Sequence, residues 1–320
     1  MFLKLEKKKN QKQKKSETEK IKNGESAKRK KKSVLERKKA IPSALFLAPS
    51  FIGVMIFFVV PFIVVIYYSV IDTPILKNFV WFDNFIALFQ NKAFQQASWN
   101  TLKFTLISVP LAVVLSLLMA SLLEKAMPFK SQFRSFFLTP MMVPVASIVL
   151  VFQVLFNQNG VVNEFLRVFG MDKIDWFKSD FAMIIVVILF LWKNLGYNMI
   201  LFMAALAAVP RNVLEAAKMD GASNKQLFFR LKLKYISPTI FFVTIFSIIN
   251  SFKVFREVYL LTGDYPYESL YMLQHFMNNA FNSLNYQRLS AAAILMSLVM
   301  IVIIGILFLA ENRFGKDVEG

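Results

Sequence analysis

The sequence predicts an all-α polytopic membrane protein, and three observations predict it. Six stretches of about 20 apolar residues recur along the chain, the length a helix needs to cross a hydrocarbon core of about 30 Å. Hydrophobic residues make up 56% of the 320 positions, above the roughly 45–50% of soluble domains, and no period-2 segment recurs as a β-barrel would require. Charge is also segregated: residues 1–40 hold 17 Lys and Arg against 5 Glu, most of the formal +18. That division excludes an ordinary water-soluble globule. It also argues against nucleic acid as a partner, since the basic residues precede lipid-grade runs. With no cysteine and a single histidine, His275, thiol chemistry and clustered His metal sites are excluded.

Taken in order, residues 1–40 read as a disordered basic cytoplasmic tail, too poor in apolar residues to offset its ordering entropy. The tail suits contact with anionic membrane lipid. The apolar run that follows is too long for the h-region of a signal peptide, so it reads as an uncleaved first span. Residues 41–320 form the membrane domain, with spans at about 44–70, 101–123, 136–156, 181–208, 236–255 and 290–310. With the N-terminus inside, inner segments carry 28 Lys and Arg and outer segments 9, which places both termini in the cytoplasm. In that count Lys253 and Arg256 belong to an outer segment, and Lys193 alone is basic within a span.

The loop at 210–235, between spans four and five, reads as two short helices. Pro210 suits a first helical turn, and Val213, Leu214 and Ala217 share a face. Gly221 supplies the left-handed residue that ends a helix. Ser223 and Gln226 form a capping-box pair that opens the next. Phe228, Phe229, Leu231 and Leu233 give that helix an apolar side, and Pro238 falls in the first turn of span five. Small Ala216 and Ala217 permit close approach, while Glu215 and Asp220 offer charged contacts. From these residues alone, the projection fits a lipid surface or a protein partner equally.

The run Glu215-Ala-Ala-x3-Gly221-x9-Leu231-x-Leu233 resembles the EAA motif of permease subunits of binding-protein-dependent ATP-binding-cassette importers. Its longer form, through Ala222, is similar to the carbohydrate branch. The resemblance extends to Phe82-Asp-Asn-Phe85, Phe94, Asn100-Thr101, Gly160-Val-Val-Asn163, Trp192-Lys-Asn-Leu-Gly196-Tyr-Asn198, Ala205 to Pro210 and Val258 to Gly263. The chain departs from the family at Lys234, where proline is common. The resemblance implies that the loop is a pair of coupling helices docking on a cytoplasmic ATPase subunit, with Glu215, Ala216, Ala217, Asp220 and Gly221 at the contact. It implies a second permease subunit, two ATP-binding-cassette ATPase subunits and an extracellular solute-binding protein, in the plasma membrane of a prokaryote. The chain lacks the G-x-x-x-x-G-K-[ST] phosphate loop, so the partner subunits use the ATP and no cofactor is expected here; the chain itself is not an enzyme.

Polar residues inside spans mark helix contacts or a solute path. Lys193, Asn194 and Asn198 in span four, with Ser247, Asn250 and Ser251 in span five, are the candidates for a path taking a sugar or oligosaccharide. Thr244 extends the span-five stripe, and Gln153 and Asn157 pair at i, i+4 spacing in span three. Trp176, Tyr259, Tyr265 and Tyr267 read as interface anchors, and His275 as a packed or solvated imidazole. Alternatives are a stand-alone secondary transporter or channel, or an importer for a polyol phosphate or peptide. A single basic residue in the spans weighs against a multiply anionic cargo, and no inverted repeat supports the stand-alone transporter.

Overall fold

A computed structural model describes residues 46–124 and 129–315. The basic tail at 1–40 and the ends of both termini lie outside the described residues. The chain divides into two units, 1–64 and 65–320. The first holds most of a 24-residue helix, α1 (Phe46–Ser69), which includes a wide turn at Met55–Val59.

Among the described residues, the second unit consists of helices and their connections, with one isolated bridge between Ile71 and Phe79. Helix α2 (Asp83–Gln90) leads into α3 (Lys92–Glu124), 33 residues long. Next come α4 (Lys130–Met142), α5 (Val145–Leu155) and the short α6 (Val161–Val168). The long α7 (Ala182–Ala207) precedes the loop helices α8 (Arg211–Met219) and α9 (224–235). Finally come α10 (Ser237–Thr262), α11 (Leu273–Asn282) and α12 (Tyr286–Gly315). Among the described residues, five helices, α1, α3, α7, α10 and α12, are long and apolar enough to cross a bilayer.

Three sequence expectations need correction. The stretch at 136–156 is not one straight span: α4 and α5 meet at 100°. Pro144 disfavours helical backbone at the residue before it, and Val143 is extended there, at φ −81° and ψ 134°. Asn157 lies beyond the end of α5, so it shares no helical face with Gln153; its side chain instead accepts the Asn159 N–H. The helix at 236–255 continues through a tight turn at Lys253-Val254 to Thr262, so Lys253 and Arg256, counted with an outer segment, lie on the same candidate span.

The core lies along α3 and α7. Phe104 meets Phe190 edge to face at 5.5 Å, and Ile185, Val186 and Leu189 are buried beside them. Nearer the far end of α7, Met199, Phe202 and Leu206 pack with Ala120, Leu123 and Val243. A third cluster joins Leu88 and Phe94 to Leu273 and Phe276.

Several residues of the resemblance hold connections in place. Each is an amide or small side chain that satisfies backbone groups helices leave free. Asn84 donates to the carbonyls of Ser69 and Ile71, and Asn100 to those of Glu268 and Tyr271. Fully buried Asn163 donates to the carbonyls of Asn157, Gln158 and Ile174, while its oxygen accepts from Ile174 N–H and Trp176 Nε1. Trp176, read from the sequence as an interface anchor, is thus an internal partner of α6. His275 is fully buried, with Phe255 edge-on at 4.7 Å. Burial, opposed by nearby Asp264, pushes its pKa down to about 4 and keeps the imidazole neutral.

Candidate functional site: a loop pair and an intramembrane cavity

The loop after α7 is built by local signals. Pro210, extended at ψ 125°, caps α8. Val213, Leu214 and Ala217 turn inward and are half-buried, which leaves Glu215, Ala216 and Asp220 exposed. Gly221 adopts φ +80°. The Ala222 N–H bonds the Ala217 carbonyl and the Gly221 N–H that of Lys218, each at 3.0 Å. That pair of bonds is a Schellman motif, and glycine adopts its left-handed turn without a Cβ penalty.

Ser223 then opens α9. Its hydroxyl accepts the Gln226 N–H at 3.3 Å, and the Gln226 side chain accepts the Ser223 N–H at 2.8 Å. Leu227, which the sequence reading left out of the apolar side, is the buried residue here, while Phe229 is exposed. The wide turn at Leu227–Lys232 rotates the helix off the regular 3.6 period. Lys232 forms an ion pair with Glu124 at the end of α3, tying the loop to the bundle. Glu215, Ala216, Ala217, Asp220 and Gly221 therefore sit together on one helix–glycine–helix segment.

The intramembrane polar residues divide into two groups. Asn198 donates to Ser247 Oγ at 3.1 Å, and the Ser251 and Thr105 hydroxyls bond at 3.0 Å. All four are buried and satisfied, so they fasten α7 and α3 to α10. Thr244 spends its hydroxyl on the Ile240 carbonyl. Gln153 reaches across to the carbonyls of Leu260 and Leu261.

The second group opens on a cavity of about 290 Å³ between α4, α7 and α10. Lys193, Asn194 and Asn250 line it; Asn250 donates to Asn194 Oδ1 at 3.0 Å. The sequence reading missed Glu257, whose Oε1 pairs with Lys193 Nζ. The Glu257 side chain is 5% exposed and that of Lys193 28%, and both line the cavity. Glu257 Oε2 is buried with no hydrogen-bond partner among the described residues. The signal that could have found it is pairing: a lysine in mid-span needs a counter-charge, and Glu257 is an acidic residue close beyond the span-five boundary. Tyr197 and Phe246, 5.1 Å apart, supply an aromatic wall. Gly196 lets α7 approach α4 until an added Cβ would lie 1.8 Å from the Phe137 carbonyl oxygen.

Comparison with known proteins places this geometry. The family described as binding-protein-dependent transport system inner membrane component matches residues 112–319. The sulfoquinovosyl glycerol transport system permease protein SmoG of Agrobacterium fabrum is 32% identical over 79% of this chain and 85% of its own. The sn-glycerol-3-phosphate transport system permease protein UgpA of Salmonella choleraesuis is 29% identical, over 81% and 90%. The fold matches a chain of a bacterial alginate ABC transporter crystallised with a pentasaccharide-bound periplasmic protein. The TM-score is 0.76 at 22% identity, covering 87% of this chain and 96% of the other. By its family this chain is a non-catalytic membrane component that serves transport. It belongs to the binding-protein-dependent inner-membrane components, the permease subunits of ABC importers.

Proposed function

We propose that the chain is one of two permease subunits of an ATP-driven importer for a sugar or polyol derivative. It crosses the plasma membrane six times, the bent pair α4–α5 counting as the third crossing, with both termini in the cytoplasm. Two cytoplasmic ATP-binding-cassette subunits dock on α8 and α9, and an extracellular solute-binding protein delivers the cargo. ATP is used by the docked subunits. The cavity at Lys193, Asn194 and Asn250 is this subunit's share of the solute path. Asn198, Ser247 and Ser251 hold its walls in register.

The observation that carries this reading is the projection at 210–235. It exposes Glu215, Ala216 and Asp220 on a frame fixed by a Schellman turn and a capping box. Such a frame transmits a push where a flexible loop would absorb it. The cargo class rests on two relatives named for sulfoquinovosyl glycerol and sn-glycerol-3-phosphate.

The test is co-purification of ATPase subunits with variants of this chain. Glu215→Ala removes a charged contact, a loss of about 2–5 kcal/mol where the partner charge is left unpaired. Gly221→Val meets no atom within 4 Å but must hold φ +80°, a strain of about 1–2 kcal/mol. Both variants are expected at wild-type membrane levels with little ATPase bound and hydrolysis uncoupled from uptake. Full docking and full solute-stimulated hydrolysis in both would refute the assignment.

A further inference from the structure

The cavity between α4, α7 and α10 has a charge imbalance. Four charged side chains line it: Lys193, Glu257, Lys253 and Arg256. Lys193 and Glu257 cancel as an ion pair. Lys253 and Arg256 are exposed, and neither side chain has an ion-pair or hydrogen-bond partner among the described residues. At 1.5 Å per residue they lie about 14 and 9 Å before the end of α10, within the segment apolar enough to cross a bilayer.

Two unpaired cations on a candidate membrane span are costly against lipid, so they belong on a wet or protein-lined path. The wall they share also offers unspent hydrogen-bonding capacity. Glu257 Oε2 is a buried acceptor with no partner among the described residues, next to a lysine open to the cavity. Asn194 and Asn250 add amide groups, and Tyr197 adds a ring face. Hydroxyl groups suit the first set and a single anionic group suits the two cations.

We propose that this cavity binds a polyhydroxylated solute carrying an anionic group, a phosphate, sulfonate or carboxylate, with hydroxyls on Glu257, Lys193, Asn194 and Asn250 and the anion on Lys253 and Arg256. The inference rests on the reading of the cavity as a solute path and names the class of cargo. It removes the ground for weighing against a multiply anionic cargo, which counted Lys193 as the only basic residue in the spans.

The experiment uses the whole importer, purified through a tag on this chain and trapped with ATP and vanadate. Retention of radiolabelled probes is measured in matched pairs: sn-glycerol 3-phosphate against glycerol, and glucose 6-phosphate against glucose. The expected result is that the anionic member of at least one pair is held about tenfold more tightly, the effect of a charge-assisted hydrogen bond. Lys253→Gln with Arg256→Gln should abolish that preference while the complex still assembles. Asn194→Leu should weaken both members alike. Equal retention within each pair, still reduced by Asn194→Leu, overturns the anionic cargo and leaves the solute path standing. Retention of no probe overturns both. A charge preference that survives the double variant overturns the assignment to these two cations. So does a double variant that loses the second permease subunit, because Lys253 and Arg256 would then be assembly contacts.

Discussion

Gly196→Ala is expected to remove most of the folded chain from the membrane. The new Cβ would sit 1.8 Å from the Phe137 carbonyl oxygen and 2.5 Å from its carbon. Both are backbone atoms, so no side chain can rotate away, and α4 and α7 must separate. Overpacking costs typically about 1–3 kcal/mol, occasionally more, and a clash of backbone on backbone belongs at or above the top of that range. Separation also opens the cavity wall beside Lys193 and exposes Phe137 and Met199, which pack in the same cluster. Gly305→Ala is the control, because nothing lies within 4 Å of its Cβ. Membrane levels and thermal unfolding of the detergent-solubilised chain should fall sharply for Gly196→Ala and stay unchanged for Gly305→Ala.

The second large effect falls on the ion pair. Lys193→Met leaves Glu257 buried without its counter-charge, a loss of about 3–5 kcal/mol. Glu257→Gln should cost less, because the 28% exposed Lys193 can turn toward the cavity opening. Lys193→Met combined with Glu257→Met replaces the pair by apolar side chains. That exchange is often close to neutral for stability, so the double variant should recover most of the unfolding temperature lost by Lys193→Met. It should not recover solute uptake, since two of the hydrogen-bonding residues of the cavity wall are gone. Thermal unfolding paired with uptake in proteoliposomes separates the two effects. If uptake returns together with stability, the pair is a structural fastener only.

The features legible in the sequence were those that local chemistry decides. Gly221, the Ser223–Gln226 box and Pro238 specify turns within four residues of themselves, and the structure forms each as read. The long apolar runs of α1, α3, α7 and α12 were equally plain, because burial in lipid demands continuous hydrophobicity. What remained hidden depends on partners far along the chain. Glu257 lies 64 residues from Lys193, and hydropathy placed it beyond the span because charged residues lower the local average. The helix continues regardless, since its backbone hydrogen bonds do not depend on side-chain charge. The break between α4 and α5 was concealed for the opposite reason. Val143 and its neighbours are as apolar as any span, and only Pro144 marks the bend. Among the polar candidates, no periodicity could distinguish Asn198, which bonds Ser247, from Asn194, which lines the cavity.

The central claim is that this chain moves solute only when driven by ATP through partner subunits. It is tested most directly by uptake into proteoliposomes holding either the chain alone or the assembled importer with its solute-binding protein. The expected result is no uptake by the chain alone under a proton or sodium gradient, and ATP-dependent uptake by the assembly that Glu215→Ala abolishes. Gradient-driven uptake by the chain alone would contradict the account.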